Sequence, residues 1–186
     1  MASYDHELLS VAARLLRRRA GQRGKLSSAQ VRRGVSTIFY AMFHFLVDEA
    51  ARSLVGRTHD QRRRRRTVTR LFSDAGPKTA LGKVSGASAD ASVVDLLRRR
   101  GLNTGAVAPP AFVRGVAKVF AEARAARIDA DYDLNVDVGE ADAHVLLARV
   151  GQAIAAWRAA DSPPDRDFKQ ALGLLMLLNG KLRRDT

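Results

Sequence analysis

The segment from Arg32 to Gly56, RRGVSTIFYAMFHFLVDEAARSLVG, constrains this chain most. At about 100° per residue its apolar side chains, among them Val35, Ile38, Phe39, Met42, Phe45 and Leu46, fill more than a third of a helix circumference. The segment therefore reads as a buried helix. Arg33, Thr37, Tyr40, His44 and Asp48 interrupt it at spacings of three, four and seven, which return them to one strip roughly 80° wide. Elsewhere aliphatic residues also recur at helical spacing and no segment alternates cleanly with period two, so an all-α protein is expected.

At 186 residues and 46% hydrophobic content, the chain suits a single domain with a genuine core. A first helix is expected from about Tyr4 to Ala20. A second runs from a cap at Ser27 or Ser28 to Gly56, and a third from Asp60 or the arginine run to about Ala75. Residues 76–110 carry Gly76, Gly82, Gly86, Gly101 and Gly105 and read as an insertion or mobile loop, with Val93 to Arg100 as one short helix inside it. Helices are then expected from Pro109 and Pro110 onward, over EADAHVLLARVGQAIAAWRAA, and in 163–186 after the SPPD break. That makes five to six helices around a Gly-rich insertion.

The charge is lopsided. Residues 1–100 hold 21 Lys+Arg against 8 Asp+Glu, whereas residues 101–186 hold 11 of each, so the whole net charge of +13 lies in the first half. It clusters at Arg17 to Arg19, at Arg62, Arg63, Arg64, Arg65 and Arg66, and at Arg98 to Arg100. Such runs are the electrostatic footprint of a protein that meets phosphate backbones or an acidic partner. No apolar run approaches the roughly 20 residues of a membrane span, and the N-terminus lacks a signal-peptide pattern, so a cytoplasmic protein without membrane contact is expected.

Much familiar chemistry is missing. Cysteine is absent, the four histidines lack zinc-site spacing, and no nucleophile elbow, P-loop or dinucleotide fingerprint occurs, so neither metal nor cofactor is expected. The segment Asp129 to Glu140, DADYDLNVDVGE, places oxygen-bearing side chains at EF-hand loop positions, but Leu134 stands where the sharp turn needs glycine. A polar connection whose acids cap the next helix is the expected reading. In the stripe, His44 offers proton transfer near neutral pH and Arg33 offers a phosphate hold, with Tyr40 between them. Eleven residues of helix separate the Cα atoms of Arg33 and His44 by about 16 Å, so a composite site needs a second helix or a second subunit. The alternative is a stripe that lines a helix contact.

Two patterns resemble the HEPN superfamily, in its small stand-alone bacterial branch. One is Arg32, Arg33, Ser36, Thr37, Phe39, Tyr40, Phe43 and His44; the other is Arg127, Ala130, Asp131, Tyr132 and Asp133. The resemblance implies an up-and-down helical bundle, frequent homodimers, and roles in RNA cleavage, nucleotide binding or pairing with a nucleotidyltransferase in toxin-antitoxin modules. It also suggests that Asp131 docks on the stripe against Arg33 or His44, with Thr37, Arg127 and Tyr132 as supporting residues. The ribonuclease members carry Arg, four to six residues, then His; the matching positions before His44 are Thr37, Ile38 and Phe39. The expected function is therefore non-catalytic binding of RNA or a nucleotide through the basic half. The alternatives are a metal-independent ribonuclease using His44, or a module that binds an acidic partner protein without nucleic acid.

Overall fold

A computed structural model describes residues 3–18, 24–73, 75–99 and 108–179. Among them the fold is all-α, with eight helices and no strand. The first is α1 (Tyr4–Leu15), shorter than its apolar pattern suggests: Leu16 closes it onto the Ala12 carbonyl and Arg17 tightens onto Arg14. Arg19, also expected in this helix, lies outside the described residues. The long helix α2 (Ser28–Val55) ends as its sequence predicts. Gly56 follows at φ 107, a left-handed conformation that a Cβ disfavours, and its N–H returns to the Arg52 carbonyl.

The arginine run forms α3 (Arg62–Thr69), which stops at the β-branched triplet Thr67, Val68 and Thr69 rather than reaching Ala75. Among its described residues the stretch expected as insertion or loop carries two helices: α4 (Ala75–Gly82) and α5 (Ala91–Arg99) both pack on the C-terminal helix. The short helix expected at Val93 to Arg100 is α5, starting two residues earlier; α4 was not expected, and the glycines at its two ends, Gly76 and Gly82, hide it. Gly76 is a packing glycine, since a Cβ there would lie 2.3 Å from the Met176 carbonyl oxygen. Asp90 caps α5 by accepting from Ser92 N at 2.9 Å, and Val93 and Leu97, one turn apart, are buried. Residues 100–107 lie outside the description, so the loop expectation there has no structural counterpart.

The remaining helices are α6 (Ala111–Tyr132), α7 (Glu140–Ala159) and α8 (Pro163–Leu177). Ser162 and Asp165 form a reciprocal capping box at the start of α8, with proline in the first turn, so the SPPD break is also a start signal. The chain divides into two compact units: 1–45 with 118–155, and 46–117 with 156–186. The first buries Leu16, Val35, Ile38, Phe45, Phe120 and Val150. Here α1 lies close on α2, because a Cβ at Gly34 would meet the Leu16 side chain at 2.7 Å. The second unit buries Leu46, Leu81, Val93, Trp157, Leu172 and Met176. No helix among the described residues is long and apolar enough to cross a membrane.

Candidate nucleic-acid interface

The arginine run divides by helical phase. Arg65 turns inward and spends its guanidinium on the end of α2, donating to the Gly56 and Thr58 carbonyls at 2.8 Å each. Arg62, Arg63, Arg64 and Arg66 fan over the rest of the circumference, all exposed, with no carboxylate partner among the described residues. No acidic residue stands in the first turn of α3 and Gln61 supplies no side-chain cap. Positive side chains thus crowd the positive end of the helix dipole, an arrangement that an external anion relieves.

The α2 stripe meets α6 around one arginine. Arg127 Nη2 donates to the Tyr40 hydroxyl at 3.0 Å and the Tyr132 hydroxyl at 3.2 Å, while Nε lies 2.8 Å from Asp131 Oδ2. Its guanidinium carbon sits 5.2 to 5.5 Å from the ring centroids of Phe39, Tyr40 and Tyr132, a cation–π arrangement. Asp131 also accepts from the buried Ser36 hydroxyl. The expectation that Asp131 pairs with Arg33 or His44 is therefore corrected. The i,i+4 partner on its own helix is nearer, and Ser36 rather than Arg33 supplies the contact from α2.

The other stripe residues are not gathered into one site. Arg33 is exposed with no side-chain partner among the described residues. Thr37 is buried and returns its hydroxyl to the Arg33 carbonyl at 2.7 Å, the back-bonding habit of helical threonine. His44 is half-buried among rings: Tyr4 edge-on at 5.0 Å, Phe43 at 5.5 Å and Tyr40 at 6.5 Å. Burial pulls its pKa below the ordinary histidine value, because desolvation favours the neutral ring. Asp48 pairs with Arg52 one turn on, at 2.8 Å.

The calcium-like spacing builds no calcium loop. Asp129 to Tyr132 are helical, so the first third of the twelve-residue pattern belongs to α6. Asp133 accepts from Asn135 N, and Glu140 accepts from Leu26 N and pairs with Arg18. No group of three or more metal-ligating side chains occurs among the described residues.

Three residues that matter were given no structural role by sequence reasoning. Arg32 donates to the carbonyls of Asp129, Ala130, Asp133 and Val136, and so holds the end of α6 and the chain beyond it. Its partners lie about a hundred positions away, and no local signal marks them. Glu49, 8% exposed, accepts from Trp157 Nε1 and Arg57, each at 3.3 Å. Lys169, 4% exposed, donates to the Trp157 carbonyl at 2.7 Å and to the Ala160 carbonyl. Their appearance on the core-facing side of amphipathic helices was the available clue. No protein family, curated protein or solved structure matches this chain.

Proposed function

We propose that this chain is a HEPN-like helical protein that binds RNA through α3 without cleaving it. The observation that carries the reading is the set of four exposed arginines on one short helix, none neutralised by a carboxylate among the described residues. Phosphates supply the charge that this helix lacks, and sequence-independent contacts of this kind position a nucleic acid without reading it. The stripe supports the non-catalytic half of the proposal. Its histidine is packed among rings, its threonine is committed to the backbone, and its tyrosine hydroxyl is held by Arg127.

The test is fluorescence anisotropy of labelled single-stranded RNA across a salt series. Four phosphate contacts predict a slope of log K against log salt near −3, at about 0.7 per contact on a single strand. Replacing Arg62, Arg63, Arg64 and Arg66 by Gln should weaken every RNA sequence alike and flatten that slope. Unchanged affinity would reduce the run to a solvated surface and favour the acidic-partner alternative. Cleavage of end-labelled RNA in EDTA by the parent protein, lost in both His44→Ala and Arg33→Ala, would replace this reading with a ribonuclease. Sedimentation equilibrium with and without RNA decides the homodimer that the family resemblance implies.

A further inference from the structure

The second compact unit contains a pocket of about 400 Å³ that the RNA reading does not use. Four cations line it: Arg52 from α2, Arg57 just beyond α2, and Arg166 and Lys169 from α8. Against them stand one lining carboxylate, Asp161, and the Ser53 hydroxyl. We propose that this pocket binds a small phosphomonoester, with the phosphate held by Arg166 and Lys169.

The cations are held in place before any ligand arrives. Lys169 is almost wholly buried, its ammonium 5.5 Å from the ring centroids of Phe112 and Trp157 and bonded to two carbonyls at the end of α7. An ammonium has three N–H donors. Two are used, and the third has no acceptor among the described residues. Arg57 is fixed by the buried Glu49, and Arg52 by Asp48 at 2.8 Å with Glu49 at 3.8 Å. Two carboxylates behind the lining thus anchor two of the guanidiniums, leaving Arg166 and Lys169 to face a ligand.

Arg166 shows what kind of ligand fits. Its Nε and Nη2 grip Asp161 Oδ1 and Oδ2 at 3.1 and 2.8 Å, the two-pronged geometry in which a guanidinium also takes phosphate. Both side chains of this pair are more than half exposed, so the pair adds little to stability and a dianion can displace the carboxylate. Asp161 is thus a built-in competitor for the phosphate position. The pocket volume exceeds what phosphate alone requires and falls within the range of small-molecule sites, which leaves room for an organic substituent.

The chain's single tryptophan adjoins this pocket through Lys169. Trp157 is buried, donates its indole N–H to Glu49 and gives its carbonyl to Lys169. The experiment titrates inorganic phosphate and glycerol 3-phosphate into the full chain at constant ionic strength. Trp157 emission and calorimetric heat are followed together, in a background with Arg62, Arg63, Arg64 and Arg66 replaced by Gln. That background removes the arginines of the RNA proposal, so the two readings fail separately. Saturable binding is expected, tighter for the ester. Arg166→Gln should weaken it about tenfold, the worth of a charge-assisted bidentate contact, and Asp161→Asn should strengthen it severalfold by removing the competitor. Arg166 is exposed, so its replacement does not depend on repacking a core. Absence of both emission change and heat overturns the proposal, as does binding by Arg166→Gln equal to its parent, or an Asp161→Asn variant that binds more weakly.

Discussion

Arg32 gives the sharpest test of what holds the first compact unit together. Nη1 lies 3.0, 3.0 and 2.9 Å from the carbonyl oxygens of Asp129, Ala130 and Asp133, and Nη2 reaches Val136 O. Nη1 has only two hydrogens, so its three acceptors share them, and the set is worth about three full bonds rather than four. A hydrogen bond to a charged group contributes about 1.5–3 kcal/mol net. Arg32 is half-buried and the residues beyond Tyr132 are exposed, so water recovers part of each lost bond, and about 1 kcal/mol apiece is the appropriate figure. Arg32→Met keeps the aliphatic stem and removes every donor, and should cost about 3 kcal/mol. For a chain of this size that lowers the melting temperature by roughly 6–12 °C. Urea denaturation followed by circular dichroism measures the loss, and hydrogen exchange should show residues 129–136 losing protection first. A loss below about 0.5 kcal/mol, the range of an ordinary surface substitution, would show that these contacts do not hold the end of α6 and would refute the reasoning.

Gly76→Ala should destabilise by about 2 kcal/mol: the new methyl meets a backbone carbonyl, which outweighs the helix-propensity gain. Denaturation midpoints of the two proteins give the difference. Asp90→Ala removes the cap of α5 and should cost about 1 kcal/mol. NMR titration should find the Asp90 carboxyl at a pKa of about 2, held down by the Ser92 hydroxyl and N–H and then by Lys83. Because that folded value lies below the unfolded one, its contribution is full above the ordinary aspartate range and is lost as the pH falls toward 2. His44 should titrate below the ordinary histidine value, and its contribution to stability should be full above the ordinary histidine range and decline as the pH drops, since the unfolded chain takes up the proton first. Tyr4→Ala, which uncovers one face of the ring, should return the His44 imidazole signals toward an ordinary titration.

What the sequence made legible follows range of interaction. Elements fixed by local rules were readable: the apolar breadth of α2, the glycine that ends it and the proline-bearing start of α8. Composition misled where one residue type does two jobs. The glycines of 76–110 suggested a loop, yet Gly76 exists to let two helices approach, a fact visible only once Met176 is beside it. In the stripe, spacing identified the polar face of α2 but not which of its members meet α6. Tyr40 and Ser36 do, through Arg127 and Asp131. The spacing of Arg127 and Asp131 by four residues was a signal for that pair, and the contact of Asp131 across elements exists but comes from Ser36 rather than Arg33 or His44.

The same distinction governs the positive charge. A net charge of +13 describes the chain as a whole, but the described arginines fall into populations with different physics. Arg32 and Arg65 are consumed by carbonyls at helix ends, where the dipole is negative. Arg127 is enclosed by tyrosine hydroxyls, rings and a carboxylate, and Arg52, Arg57 and Arg166 are paired with carboxylates around one pocket. These side chains contribute to the charge total and little to the capture of a polymer, because their donors are already engaged. On α3 the guanidinium donors of Arg62, Arg63, Arg64 and Arg66 have no partner among the described residues. On the proposed RNA reading these four residues supply phosphate contacts, and the salt dependence of binding counts such contacts rather than the net charge.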